Sequence, residues 1–194
     1  WTLDGTAPGP GPTLTPDLAR PDGRLRFDPG LDYVLTDNGI KLIGTTLQAN
    51  GSLSLVRVTH PWRLQEAYYG RSSDGWIADR HNATYVYFGP ARRGTLTVDV
   101  SRVGFCFKQA PPTPVTIRIG AVRLNSQRAP KIARATEVRH VLLQNCADFP
   151  IQLPAVAPVA VTVHVARLAR GTDYGLSDSR RFGAQFSGSF TPTR

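Results

Sequence analysis

Methionine is absent from the 194-residue chain, and cysteine and glutamate each occur only twice. With Trp1 at the start, the missing methionine is the mark expected of a processed or excised segment. No run approaches the ~18 apolar residues of a membrane-spanning helix. Nor does any useful length repeat its apolar residues every 3.6 positions, so long helices are not expected. Without a helix to open, there is no glycine-rich cradle for phosphate. No GxSxG occurs, and His60, His81, His140 and His164 are too scattered to suggest a Ser/His/Asp set. A glycosidase needs two carboxyls across one bond. Asp74 and Asp79 are close in sequence, but nothing separates their acidities. A self-sufficient hydrolase is therefore not expected, and no catalytic residue is assigned. No CxxC or HxxxH spacing marks a zinc site. A structural calcium ion is compatible with the fold class, but no loop is acidic enough to assert one, so no metal or other cofactor is expected.

The formal charge is +9, with 23 Lys and Arg against 14 Asp and Glu. This attracts anions at long range. The arginines are scattered, singly or as the pairs Arg92-Arg93 and Arg180-Arg181, with no recognition helix or basic run. Specific nucleic-acid binding is not expected. A solvated basic face, or an approach to an anionic envelope surface, fits better.

The chain does have 18 Gly and 16 Pro, with 41% hydrophobic residues, enough for a core interrupted by many turns. Residues 1–23, containing Ala7-Pro8-Gly9-Pro10-Gly11-Pro12, read as a Pro/Gly-rich linker or strap. Residues 24–194 read as one domain. Tyr33 to Thr36, Asn38-Gly39, Ile40 to Gln48, Asn50-Gly51 and Ser52 to Thr59 suggest a three-strand meander. Arg63 to Tyr69, Thr84 to Phe88 and Thr136 to Leu143 follow as strands. Alternation is cleanest at Leu96/Val98/Val100, at Val115/Ile117/Ile119 and from Val159 to Val165, and Ala184, Phe186 and Phe190 share a parity near the end. The expectation is an all-β, two-sheet antiparallel β-sandwich, jelly-roll-like, of about ten strands.

Residues 60–88 hold two of three Trp and four of six Tyr. Trp62, Tyr68, Tyr69, Arg71, Asp74, Trp76, Arg80, Tyr85 and Tyr87 are the candidate carbohydrate-binding set. Sugars stack C–H faces on aromatic rings and present hydroxyls to polar side chains. The other reading makes the two Trp core residues and Asp74-Gly75 a turn. Cys106 and Cys146 are expected to form a disulfide closing a loop of about 40 residues. The other reading is two unpaired buried thiols. Asp178, two residues before Arg180, suggests an ion pair ordering the last loop, against the alternative of a ligand anion held by Arg180 or Arg181.

Three blocks carry a resemblance: Gly70…Asp74-Gly75-Trp76 with Ala83-Thr84-Tyr85; Thr95 to Arg102 leading into Phe105-Cys106; and Leu176-Ser177-Asp178-Ser179-Arg180-Arg181-Phe182-Gly183. In this order, over residues 50–190, the chain resembles the C-terminal extracytoplasmic domain of multi-pass cell-envelope glycosyltransferases of high-GC bacteria. It is similar to the carbohydrate-binding modules of envelope arabinosyltransferases. The resemblance implies an extracytoplasmic location, tethered to the cell membrane by an upstream membrane domain. It places catalysis in that domain, with a polyprenyl-phosphate sugar donor, and leaves this part to hold a cell-envelope glycan. The family's catalytic acids are not carried over, because no membrane-loop motif is present. The alternative is a structural or protein-interaction sandwich, such as a stalk, coat or adhesion module, with no glycan site.

Overall fold

A computed structural model of the chain describes residues 19–192, apart from positions 21, 27, 29, 38, 52, 73, 90–93, 107–108, 126–127 and 155–156. Most of the Pro/Gly-rich segment, including Trp1, therefore lies outside the described residues. Fourteen strands follow in chain order: β1 (Tyr33–Asp37), β2 (Ile40–Leu42), β3 (Gly44–Asn50), β4 (Leu53–Val58), β5 (Leu64–Tyr69), β6 (Trp76–Ala78), β7 (Asn82–Tyr87), β8 (Gly94–Ser101), β9 (Thr113–Asn125), β10 (Arg128–Leu143), β11 (Asp148–Pro154), β12 (Val159–Val165), β13 (Ala169–Arg170) and β14 (Arg181–Pro192). The chain is all-β, with only short 3-10 turns besides among the described residues. No helix among the described residues is long and apolar enough to cross a membrane.

Two sheets face each other across the main core. One has six strands, β10-β9-β12-β7-β5-β2. The other has five: β11-β8-β14-β13, with β6 also on β14. Alternation explains their inner faces. Ile117, Ile119, Val161 and Val163 from the first meet Leu96, Val98, Val100, Ile151 and Phe186 from the second. Burying such side chains contributes about 1.5–3 kcal/mol each.

A third sheet, β1-β4-β3, lies outside the sandwich. Its Val34, Val56 and Val58 join Trp62, Leu64, Val86 and Ala160 in a second core. β7 is consequently covered on both faces: Ala83, Tyr85 and Tyr87 serve the main core while Val86 serves the second. The chain also enters this second core at Ala19, which bridges to Leu25.

The expected first hairpin does not form. β1 pairs with β4, and β2 pairs with β5 in the six-stranded sheet. The apparent single strand from Ile40 to Gln48 changes sheets at Gly44, where a Cβ would lie 2.3 Å from the Arg57 carbonyl oxygen. Only glycine allows that approach. The Asn50-Gly51 turn does connect paired strands, β3 and β4. The short strands β6 and β13, and β11 with its Pro150, were not apparent from alternation. β11 is an edge strand, where proline is tolerated.

Candidate functional site

The aromatic set divides sharply between core and surface. Trp62 is 2% exposed, and its Nε1 donates to the Leu31 carbonyl at 3.1 Å. Tyr85 and Tyr87 are fully buried. The Tyr85 hydroxyl donates to Glu66 Oε2 at 2.6 Å, and Tyr87 stacks on Phe190 with ring centroids 5.2 Å apart. These three rings offer no face to a sugar, which corrects the expected aromatic shelf. Tyr85 and Tyr87 face the opposing sheet across the main core, and Trp62 is sealed by the third sheet in the second core. Tyr69 is partly buried against the second core. Trp76 is half-buried, edge-on to Phe182 at 5.2 Å. Arg80 is exposed on the turn before β7.

Tyr68, Arg71 and Asp74 are brought together in one groove of about 580 Å³. The groove opens where β1, β3 and β4 of the third sheet approach the edge strand β2, its neighbour β5 and the outer side of β8 and β14. β14 determines its geometry. Beyond Gln185 the strand has β8 on one side and no strand on the other among the described residues. Side chains and a loop complete that edge. Phe186 N–H donates to the Gly75 carbonyl at 2.9 Å, and the Phe186 carbonyl accepts from Arg71 Nη1 at 2.9 Å. Gly188 N–H donates to the Tyr68 hydroxyl at 2.8 Å, which donates back to the Gly188 carbonyl at 3.2 Å. This closes an edge that would otherwise invite pairing.

Four carboxylates line the groove (Asp37, Glu66, Asp74 and Asp99) against two cations, Lys41 and Arg71. The lining is thus acidic in a basic chain. Glu66 is 7% exposed and held by Tyr85 and by Lys41 Nζ at 3.5 Å. Burial, reinforced by the Glu66 charge, pushes the Tyr68 hydroxyl up to about 12. Burial also lowers the Arg71 pKa from its ordinary value. Asp99 alternates outward from Val98 and Val100 on β8, and burial followed by the nearby Asp148 charge raises its pKa. Burial draws Asp74 toward its neutral form, but Arg180 and the Trp76 amide outweigh it and hold its pKa below the ordinary value.

Arg180 fastens the groove mouth to the last loop. Its Nε and Nη2 donate to both Asp178 oxygens, at 2.6–3.1 Å, and Nη2 reaches Asp74 Oδ2 at 2.5 Å. Asp178 is lowered by Arg180, and Arg180 is raised by Asp178 and then Asp74.

The groove can therefore present both hydrogen-bond donors and acceptors to hydroxyls, with Ser101, Gln185 and Ser187 adding neutral groups. Stacking is limited, because Arg71 covers the Tyr68 ring, 3.6 Å from its centroid. Asp37, Lys41, Glu66 and Asp99 were missed by sequence reasoning. Only the outward parity of Asp99 could have singled one of them out. No cluster of three or more His, Cys, Asp or Glu suited to a metal ion occurs among the described residues.

The expected disulfide is not formed. Cys106 and Cys146 are free thiols, and both are exposed rather than buried. No protein-family model, curated protein or solved structure matches the chain.

Proposed function

We propose that the chain is a non-catalytic carbohydrate-binding module. In this reading it serves a membrane glycosyltransferase of cell-envelope polysaccharide synthesis, outside the membrane, and positions the acceptor glycan. The observation that carries the reading is the groove in which Tyr68, Arg71 and Asp74 meet Asp37, Lys41 and Asp99. Its size suits a short stretch of saccharide, and its convergent charged and hydroxyl groups suit hydroxyl recognition. Recognition rests on polar contacts more than on stacked rings. The acidic lining favours a neutral glycan over a uronic-acid polymer, because a carboxylated ligand would meet a net excess of like charge. A glycan array carrying neutral and acidic envelope polysaccharides tests this. Retention of neutral arabinan or galactan is expected. Uniform absence of binding at millimolar ligand would count against the module.

A second reading, a protein-interaction sandwich, has its own support. Tyr33, Leu35, Leu47 and Leu53, all on the third sheet, are 40–56% exposed. Grouped apolar side chains of this kind mark contact surfaces. Concentration-dependent sedimentation with no glycan retention would favour that reading.

A further inference from the structure

We propose that Cys106 and Cys146 form an accessible thiol–disulfide exchange site, closed by small disulfides of the glutathione class and reopened by thiols. This stands independently of the glycan reading. The two cysteines belong to turns that the backbone already fastens together. Cys106 ends the 3-10 turn that follows β8, its N–H donating to the Val103 carbonyl at 3.1 Å. Cys146 lies in the turn before β11, which is closed by Ala147 N–H donating to the Gln144 carbonyl at 3.3 Å. Between the turns, Arg102 N–H donates to the Ala147 carbonyl at 2.8 Å, and Ser101 pairs with Asp148. Arg102, 2% exposed, anchors the junction by donating to the Pro111 carbonyl at 2.6 Å. The loop between the two cysteines contains the whole β9–β10 hairpin, and the fold has already brought its ends together.

Access and proximity complete the case. Both thiols are exposed, and the Cys146 thiol is within hydrogen-bonding reach of the Cys106 sulfur. One cysteine, as its thiolate, attacks one sulfur of the small disulfide, forming a mixed disulfide and releasing one thiolate. The other then loses its proton to solvent and attacks the first cysteine's sulfur. The Cys106–Cys146 bond forms, and the second thiolate leaves. The protein gives up two electrons and two protons, and the small disulfide is reduced to two thiols.

The test incubates the full chain in buffers of graded oxidised and reduced glutathione, followed by intact-mass and non-reducing peptide analysis. The wild type is expected to end with Cys106 linked to Cys146, retaining no glutathione and reverting with dithiothreitol. Cys146→Ser should stop at one glutathione on Cys106. Cys106→Ser should likewise stop at one glutathione, on Cys146. Two retained glutathiones, chain-to-chain linkage, or two free thiols under fully oxidising conditions in the wild type would overturn the proposal. Should either variant fail to fold, the wild-type linkage map decides alone.

Discussion

Arg71 lies over the Tyr68 ring, its guanidinium carbon 3.6 Å from the centroid, and the two side chains together complete the open edge of β14. The same atoms that line the groove thus hold its wall. A ligand that draws on Tyr68 or Arg71 competes with the Phe186 and Gly188 backbone, which sets a limit on how freely either can reorient.

Tyr68→Phe deletes the hydroxyl that serves both the N–H and the carbonyl of Gly188. Leaving part-buried backbone groups unserved costs about 1–3 kcal/mol. For a chain of this size each kcal/mol lowers the Tm by about 2–4 °C. Thermal unfolding of the variant checks this. An unchanged Tm would mean that the β14 edge is satisfied by other means.

Gly188→Ala probes the wall from its other side. A Cβ there would lie 2.6 Å from Tyr85 Cζ, inside the main core. Overpacking of this kind costs about 1–3 kcal/mol. Denaturant unfolding should show a lower midpoint with an unchanged slope. A neutral result would place the Tyr85 ring elsewhere and reopen its role as a surface residue.

Asp99 gives a pH prediction with a definite sign. Its folded pKa is raised, by burial and then by Asp148, above the ordinary 3.8. A raised folded value means that the native state binds the proton more tightly than the unfolded chain. The destabilisation is absent below pH 3.8, sets in as pH rises through 3.8, and is complete above the raised folded value. Asp99→Asn should therefore be more stable than the wild type at pH 7, with the difference vanishing in acid. Chemical denaturation at several pH values measures it. Greater stability with weaker ligand binding is the signature of a residue kept for function.

His60 bridges two carboxylates, with Nδ1 3.0 Å from Asp28 and Nε2 3.3 Å from Asp32. Asp28 raises the His60 pKa above 6.5, and His60 lowers the Asp28 pKa below 3.8. The His60 contribution is full below pH 6.5 and is lost as pH rises through its raised folded value. The Asp28 contribution is full above pH 3.8 and is lost as pH falls through its lowered value. This clamp between residues 28–32 and the turn before β5 is thus strongest between pH 3.8 and 6.5. His60→Gln should flatten the pH dependence of unfolding on the alkaline side of that window. Added salt should weaken the wild-type effect, because the groups are exposed.

The sandwich was legible because apolar side chains alternate at Leu96/Val98/Val100, at Val115/Ile117/Ile119 and at every second residue from Val159 to Val165, and a two-residue period allows one reading of which face is buried. The third sheet was not legible. Ile40 to Gln48 looks like one strand, and nothing local says that the chain changes sheets at Gly44. That hidden layer also explains the aromatic residues. A strand covered on both sides loses its alternation, so the side chains of β7 gave no sign that Tyr85 and Tyr87 point inward. In the groove, Tyr68, Arg71 and Asp74 could be read from their neighbourhood in sequence. Asp37 and Asp99 lie 62 positions apart and come to line one groove only through the tertiary arrangement of β1 and β8.

Calorimetric titration of neutral arabinan into the wild type, Asp99→Ala and Trp62→Phe tests the groove most directly. The account predicts saturable heat for the wild type, affinity at least about tenfold weaker for Asp99→Ala (the equivalent of ~1.4 kcal/mol), and wild-type affinity for Trp62→Phe. Absence of heat with the wild type at millimolar saccharide, or equal affinity with and without the Asp99 carboxylate, would contradict it.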